Sequence, residues 1–338
     1  MEKILVTGGA GFIGSNFILY LLKNFEDIEI INYDCLTYAG NLENLKEIES
    51  YKNYHFVKGD IKNSEMLEYV LQSYQVDGII NFAAESHVDR SIDNSRPFIE
   101  TNIGGTLNIL EAVRKLNIKN FLQVSTDEVY GSLGDTGLFT ESTPISPNSP
   151  YSASKAASDQ LCLAFHHTYG INVKITRCSN NYGPMQFPEK LIPLMINNAL
   201  ENKDLPVYGD GLNVRDWLYV DDHCSAIWTV YQKGRTGECY NIGGNNEKTN
   251  ISLVKEILRQ LDKPESLIKY VKDRPGHDKR YAIDNSKISS ELGWEPKYTF
   301  EQGLKMTIDW YLSNLDWSKN VLSGAYLEFY NKWYKDRN

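Results

Sequence analysis

Two neighbouring carboxylates, Asp127 and Glu128, follow the apolar segment "NFLQV", which has the composition of a buried strand. They lie within the sequence "STDEVYG", residues 125–131. Adjacent carboxyl groups can serve as an acid and a base when their surroundings push their pKa values apart. The alternative is a solvated turn that merely ends the strand. We predict that the pair does chemistry, because the rest of the sequence supplies partners for it.

A tyrosine and a lysine four residues apart, Tyr151 and Lys155, open the segment "YSASKAASDQLCLAFHHTYG", which is predicted to be helical. Residues four apart share one face of a helix. A lysine cation beside a phenol stabilises the phenolate, so the pair is a candidate proton acceptor whose tyrosine pKa is lowered. The same spacing at Tyr54 and Lys58 lies in a predicted strand, where four residues span about 13 Å, so that match has no such meaning.

A glycine-rich loop connects the first predicted strand, "KILVTG", to the first predicted helix. Gly8, Gly11 and Gly14 form G-x-x-G-x-x-G, which allows the backbone to approach a pyrophosphate at a helix N-terminus. Asp34 ends the second strand, where a carboxylate can accept hydrogen bonds from an adenosine ribose and repel a 2′-phosphate. A structural loop is the alternative. We predict an NAD site that disfavours NADP.

Apolar strands alternate with helical segments through the first half of the chain. This pattern is typical of a parallel sheet covered on both faces, a doubly wound Rossmann-like α/β fold. After about Tyr182 the elements become shorter and prolines appear. We predict an NAD-binding domain over residues 1–182 that carries the catalytic residues. Residues 183–338 form a smaller substrate-binding lobe, with some segments returning to the first domain.

Charge and cysteine content limit the class of function. The 338-residue chain has a net charge of −9, which gives nucleic-acid binding no electrostatic support. Its five cysteines lack framework spacing, which favours reduced thiols and a cytoplasmic protein, and no metal-binding pattern is present. The uncharged stretch Ile4–Leu22 is long enough to suggest a membrane span, but four glycines divide it, so we predict none.

Together these motifs resemble the extended short-chain dehydrogenase/reductase family, the NAD-dependent epimerases and dehydratases, over nearly the whole chain. "STDEVYG", "AAESHVDRS", "NNYGPMQFPEKLIP", "RDWLYVDDH" and "DRPGHDKRY" are similar to the members that remove water from dTDP-glucose. The Thr-Asp-Glu run separates them from epimerases and decarboxylases that share the glycine loop. The resemblance implies an NAD-dependent lyase, a dTDP-glucose substrate, a homodimer, and a place in dTDP-rhamnose synthesis.

The resemblance also implies a catalytic role for each of five residues. Tyr151, beside Lys155, takes the proton of the sugar C4 hydroxyl while NAD⁺ accepts the C4 hydride. Glu128 then removes the C5 proton, which the 4-ketone has made acidic. Asp127 protonates the C6 hydroxyl so that it leaves as water, and the hydride returns to C6. Thr126 hydrogen-bonds near the C4 oxygen.

Two further groups of residues follow from the resemblance alone. The predicted cofactor-binding residues are Gly8, Gly11, Phe12, Ile13, Gly14, Asp34, Cys35, Leu36, Thr37, Asp60, Ile61, Phe82, Ala83, Ala84, Ser86, Thr101, Tyr151, Lys155 and Asn180. The predicted substrate-binding residues are Ser86, Thr126, Asn181, Lys190, Leu191, Pro206, Tyr208, Arg215, Asn250, Asp273, Arg274 and His277. Arg215 suits a diphosphate because its planar fork makes paired hydrogen bonds, and a surface ion pair with Asp216 or a neighbour is the alternative.

Two other functions remain open at this stage. One is a UDP-sugar epimerase or another dehydratase of the same fold, against which Asp127 and Glu128 argue. The other is a non-catalytic NAD-sensing protein, in which the set Tyr151, Lys155, Asp127 and Glu128 would have no purpose. The preference for a thymidine nucleotide rests on the resemblance.

Overall fold

Most of the chain, residues 1–274 and 276–321, is described by the computed structural model. These residues form twelve strands: β1 (Glu2–Thr7), β2 (Ile28–Asp34), β3 (Tyr54–Lys58), β4 (Gly78–Asn81), β5 (Asn120–Thr126), β6 (Val173–Cys178), β7 (Asn180–Tyr182), β8 (Leu205–Tyr208), β9 (Val214–Tyr219), β10 (Cys239–Ile242), β11 (Glu247–Thr249) and β12 (Ile268–Val271). The described α-helices are α1 (Phe12–Asn24), α2 (Ser64–Tyr74), α3 (Val88–Asp93), α4 (Arg96–Phe98), α5 (Thr106–Leu116), α6 (Pro150–Tyr169), α7 (Leu191–Leu200), α8 (Val220–Lys233), α9 (Asn250–Gln260), α10 (Ser286–Leu292), α11 (Phe300–Ser313) and α12 (Leu315–Val321).

The centre of the fold is a seven-stranded sheet in the order β10-β6-β5-β4-β1-β2-β3, with every neighbouring pair parallel. The strand order reverses between β1 and β4, and a crevice therefore opens at the carboxyl ends of these strands. The predicted doubly wound α/β class is confirmed.

Apolar side chains on both faces of the sheet explain why these strands are continuous hydrophobic runs. Ile4 and Val6 of β1 pack into the cluster that contains α1 and α8, whereas Leu5 packs into the cluster that contains α2, α5 and α6. All three side chains are fully buried. Side chains alternate across a strand, so both faces must be apolar where helices cover both.

The segment "PFIETNIGGTLNILEAVRKL", residues 97–116, is predicted from its sequence to be one long helix, but the structure interrupts it. A π-helical segment, Ile99–Gly105, separates α4 from α5. Within it, the Asn102 side chain accepts a hydrogen bond from Glu85 N at 2.8 Å and donates to Ser154 Oγ at 2.8 Å. The widened turn thereby ties the end of β4 to α6, and such turns occur frequently at functional sites.

A smaller body packs against the carboxyl edge of the central sheet. It contains the sheet β11-β9-β7, the pair β12-β8, and a core in which Tyr182, Trp217 and Phe300 contact residues of α7, α9 and α11. Strand β10 and helix α8, although they follow residue 183, pack with the central sheet. The chain therefore crosses between the two bodies more than once.

One local expectation about α8 is wrong. Asp221 and Asp222 precede the helical segment "HCSAIWTVYQ" and are predicted from the sequence to cap it, but α8 begins at Val220 and has no side-chain cap. Asp222 instead accepts hydrogen bonds from Lys297 N at 2.9 Å and Tyr298 N at 3.0 Å. Among residues 1–274 and 276–321, no helix is both long and apolar enough to cross a membrane.

Candidate active site

A cavity of about 340 Å³ lies at the carboxyl ends of the parallel strands. Its walls come from the glycine loop after β1, the residues that follow β2, β4 and β5, the first turns of α6, and residues 179–190. Parallel strands bring these separate pieces of sequence to one edge of the sheet. The predicted cofactor loop and the predicted catalytic residues therefore share one cavity.

The glycine loop leaves no room for side chains where a pyrophosphate must approach. Gly8 has a φ of +67°, and a Cβ there would lie 2.7 Å from Ala83 N. A Cβ at Gly14 would overlap Gly8 O. No side chain caps helix α1 at Gly11, so the first N–H groups of the helix remain available to a ligand. The loop fits the diphosphate of NAD.

Asp34 is held in place by the backbone. Its Oδ2 accepts from Ala10 N at 2.9 Å and its Oδ1 from Leu36 N at 2.8 Å. Burial raises the pKa of Asp34, and these two N–H groups oppose that rise. Each carboxylate oxygen keeps a further lone pair, so the ribose hydroxyls of NAD can still be accepted.

We expect NAD to bind at least about tenfold more tightly than NADP, because a 2′-phosphate would lie against the Asp34 carboxylate. Asp34→Asn removes the charge with little change in shape and should reduce this discrimination. Calorimetric titration of both cofactors measures it. Asp27→Asn, an exposed residue before β2, is the matched control. Equal binding of NAD and NADP by the unmodified chain would refute the role of Asp34.

The two carboxylates at the end of β5 occupy different environments. A 3₁₀ turn over Asp127–Tyr130 follows Thr126, whose Oγ1 accepts from Glu128 N at 3.3 Å. Asp127 is 2% exposed, and its Oδ2 finds no hydrogen-bond partner among the described residues. Burial raises the pKa of Asp127 well above its ordinary value, and the charge of Glu128 adds to the rise.

Glu128 is also surrounded by protein, but cations lie near it. Burial raises the pKa of Glu128, while the charges of Arg274, Lys190 and Arg215 oppose that rise. For Asp127, Arg215 opposes the rise, but Glu128 and Asp216 add to it. The surroundings therefore favour the protonated form of Asp127 more strongly than that of Glu128.

Tyr151 and Lys155 share the first turns of α6, which begins in a capping box between Ser149 and Ser152. The expected lowering of the tyrosine pKa is wrong for this arrangement. Burial raises the pKa of Tyr151 well above its ordinary value, with Glu128 adding to the rise. The Lys155 ammonium donates to Val124 O at 2.7 Å instead of to the phenol. A cation next to the phenol is needed to reverse the shift, and the nicotinamide of NAD⁺ carries one.

Several predicted substrate residues, in the cavity wall or beyond it, have buried polar groups. The Arg215 guanidinium is buried over the Tyr281 ring at 4.4 Å and donates to Asp278 O at 2.9 Å. Among the residues that the structure describes, Arg215 forms no ion pair with Asp216 or another carboxylate, so the alternative surface ion pair is not found. Within residues 1–274 and 276–321, no hydrogen-bond partner is found for the buried atoms Asn181 Oδ1, Asn250 Oδ1 and Arg274 Nε.

Comparison with known proteins places the chain. A family model described as GDP-mannose 4,6 dehydratase matches residues 5–307. The chain belongs to this family. It is 58% identical over 344 residues to the dTDP-glucose 4,6-dehydratase of Xanthomonas campestris pv. campestris, covering 96% of this chain and 97% of the relative.

Solved structures agree with this assignment. The dTDP-glucose 4,6-dehydratase of Bacillus anthracis, in complex with NAD, is 58% identical with a TM-score of 0.90, covering 95% of this chain and 100% of that one. DesIV from Streptomyces venezuelae, a dTDP-glucose 4,6-dehydratase with NAD and TYD bound, is 49% identical with a TM-score of 0.92, again covering 95% and 100%. The predicted resemblance is confirmed.

Most of the site residues that the sequence analysis predicts line the cavity. All five predicted catalytic residues line it, as does every predicted cofactor residue except Leu36, whose N–H supports Asp34. Of the predicted substrate residues, Ser86, Thr126, Asn181 and Lys190 line it. The others lie outside this cavity: Leu191, Pro206, Tyr208, Arg215, Asn250, Asp273, Arg274 and His277.

Some cavity residues were not found by the sequence analysis. Glu85, Phe187 and Glu189 line the cavity, and the quoted motifs "AAESHVDRS" and "NNYGPMQFPEKLIP" contain all three without a role. Glu189 accepts from Arg90 Nε at 2.9 Å and from Tyr38 Oη at 3.2 Å. These contacts join the segment after β2 to the segment before α7. Neither the spacing of motifs nor the residue types predict that these two segments contact each other.

Proposed function

We propose that this chain is an NAD-dependent lyase that converts dTDP-glucose to dTDP-4-keto-6-deoxyglucose. One observation carries the proposal: beside Tyr151 and Lys155, the neighbours Asp127 and Glu128 have environments that favour an acid and a base. Curated relatives with this activity are 50–58% identical over nearly the full length of the chain. The predicted enzyme class and the predicted cofactor, NAD, are confirmed.

The first half of the reaction is oxidation at C4. NAD supplies the hydride acceptor at this step and the hydride donor at the end of the cycle. Tyr151 takes the proton of the C4 hydroxyl, and Thr126 hydrogen-bonds near the same oxygen. Lys155 lies one turn after Tyr151 on α6, is 4% exposed and donates to Val124 O. In the proposal, its charge acts together with that of the nicotinamide ring to favour the phenolate.

The second half of the reaction is loss of water across C5 and C6. Elimination needs a base at one carbon and an acid at the next. Glu128 takes the C5 proton, because the cations around it make it the more readily ionised carboxyl. Asp127 protonates the leaving C6 hydroxyl, because burial keeps its proton in place. After the hydride reaches C6, Glu128 returns a proton to C5.

We also propose that the two parts of the chain have different roles. Residues 1–182 hold NAD and carry the catalytic groups. Residues 183–338 mainly bind the sugar nucleotide, with Arg215 and Arg274 facing its diphosphate. We also propose the cytoplasm as the compartment, since the cysteines Cys35, Cys162, Cys178, Cys224 and Cys239 are free. The proposed metabolic role is in dTDP-rhamnose synthesis.

Isotope labelling tests the proposed reaction. Substrate carrying deuterium at C4 should yield product labelled at C6, because the hydride moves within one sugar. In D₂O the product should carry deuterium at C5, because the carboxyl group of Glu128 can exchange its proton with solvent. Mass spectrometry of the product locates both labels.

The other candidate functions predict different results. An epimerase would return the C4 label to C4, and a simple dehydrogenase would leave it on released cofactor. A non-catalytic NAD-sensing protein would leave the sugar unchanged. Incubation with UDP-glucose in parallel tests the nucleotide preference. A keto product from UDP-glucose alone would contradict the proposed substrate.

A homodimer is the proposed assembly, formed through α5 and α6 of each copy. Leu107 of α5 is 38% exposed, and Ala153 and Ala164 of α6 are also exposed. Leu107→Glu should shift the protein toward monomer in light-scattering measurements, because a charge would then lie in the apolar contact. Leu312→Glu on α11, at a leucine that is 44% exposed, is the control. A monomeric wild-type protein at micromolar concentration would contradict the proposal.

A further inference from the structure

Asp89 joins the two bodies of the protein through a buried ion pair. It lies on α3 and is 3% exposed. Its Oδ1 accepts from Arg274 Nη1 at 3.0 Å, and its Oδ2 accepts from Tyr208 Oη at 3.0 Å. Arg274 and Tyr208 both belong to the part of the chain after residue 183. One carboxylate therefore holds two side chains that are far apart in sequence.

Hydrogen bonds hold the segment around Asp89, residues 86–90, in place. His87 caps α3 by accepting from Arg90 N at 3.4 Å, and Arg90 Nε donates to Glu189 at 2.9 Å. Just before the helix, Ser86 O accepts from the Lys190 ammonium at 2.8 Å. Residues 86–90 thus contact residues 189–190, Tyr208 and Arg274. These contacts hold the Asp89 carboxylate in a fixed position.

Arg274 retains binding capacity after this ion pair is made. A guanidinium has five N–H donors, and only one nitrogen of Arg274, Nη1, donates to Asp89. Arg274 Nε is buried and finds no hydrogen-bond partner within residues 1–274 and 276–321. The charge of Arg274 acts on Glu128, Lys190, Arg215 and His277, so it lies among the groups at the end of β5. An anionic ligand beside these cations would complete its hydrogen bonds.

We infer that Asp89 is a positioning residue for binding of the sugar-nucleotide diphosphate, an inference that rests on the proposed function. It acts through Arg274 and Tyr208: one carboxylate oxygen orients the guanidinium fork and the other orients the phenol. A long, flexible arginine loses less conformational entropy on binding when it is already oriented. Asp89 does not touch the reacting carbons, and Lys190 and Arg215 also act on Glu128. The main contribution of Asp89 is therefore to substrate affinity.

The central test is Asp89→Asn in the full chain loaded with NAD. The substitution keeps the shape of the side chain and removes the charge that holds Arg274. KM for dTDP-glucose should rise about tenfold while kcat stays within about twofold, and the affinity for dTDP should fall by the same factor in calorimetry. NAD content should not change. Asp309→Asn, which breaks an exposed ion pair with Lys305, is the matched control and should leave KM unchanged.

A double-mutant cycle separates positioning from a general structural role. Arg274→Ala should raise KM, and adding Asp89→Asn to it should cause little further change, because Asp89 acts through Arg274. Tyr208→Phe, which removes only the hydroxyl that bonds Asp89 Oδ2, should raise KM about threefold. This variant decides the matter if Asp89→Asn does not fold.

Three outcomes would overturn the inference: an unchanged KM in Asp89→Asn and in Tyr208→Phe, fully additive effects with Arg274→Ala, or a fall in kcat with KM unaltered. Failure of the proposed function is distinguishable, since the wild-type protein would then yield no keto sugar from dTDP-glucose. The dTDP titrations would still report on Asp89 in that case.

Discussion

Asp127→Asn is expected to slow steady-state turnover by about 10²- to 10⁴-fold, the usual contribution of a positioned general acid. The amide has nearly the same shape as the carboxyl but no proton to give to the leaving C6 hydroxyl. Oxidation at C4 does not need that proton and should proceed. In a single-turnover experiment the absorbance of reduced nicotinamide should therefore rise and persist, whereas the wild-type signal decays quickly.

Two comparisons make this result specific to Asp127. Tyr151→Phe slows the earlier step, so reduced nicotinamide should form slowly and should not accumulate. Asp309→Asn makes the same chemical change in an exposed ion pair and should behave as wild type. Unchanged turnover in Asp127→Asn, or slow turnover without accumulation of the reduced cofactor, would show that Asp127 is not the acid.

The parts of the fold that the sequence predicts are those that depend on local pattern. Continuous apolar runs predict the parallel sheet, because strands covered on both faces cannot alternate. The glycine spacing predicts the cofactor loop, because Gly8 has a positive φ and faces Ala83 with no room for a side chain. Such signals lie within a few residues of the feature that they specify.

Electrostatic properties of the site could not be predicted in the same way. The pKa values of Asp127 and Glu128 differ because the charges of Arg274 and Lys190, from distant segments, oppose the rise in the Glu128 pKa. These two charges are not among the main influences on Asp127. Helical spacing correctly places Tyr151 and Lys155 on one face, but it does not show that Lys155 bonds Val124 O. The expected lowering of the tyrosine pKa failed for that reason: burial dominates, and burial is a tertiary property.

The interruption between α4 and α5 shows the same limit at the level of the backbone. Residues 97–116 have a helical pattern, and the pattern is correct for α5. The π-helical segment exists because Asn102 bonds Glu85 and Ser154, and because Gly105 lies against Ile61. None of these partners lies within one helical turn in sequence. Contacts of this kind become visible only when the sheet has brought the segments together.

Tyr151→Phe is expected to have the other large effect, a loss of about 10²- to 10⁴-fold in kcat with the affinity for dTDP unchanged. The phenyl ring keeps the packing against Phe98, which the Tyr151 ring meets edge-on at 6.3 Å, and removes only the proton acceptor.

The pKa of Tyr151 also determines how the rate of C4 oxidation should change with pH. Burial raises the pKa of Tyr151 well above its ordinary value, so at neutral pH the phenol is largely protonated and the acceptor form is scarce. The rate of C4 oxidation should therefore increase with pH from about 6 to about 8, approaching tenfold per pH unit if nothing else titrates. Tyr151→Phe should lose that dependence along with most of the rate. Rapid-mixing measurement of reduced nicotinamide across this range checks both statements. A mutant that keeps the wild-type slope would place the proton acceptor on another residue, because the group that titrates would still be present.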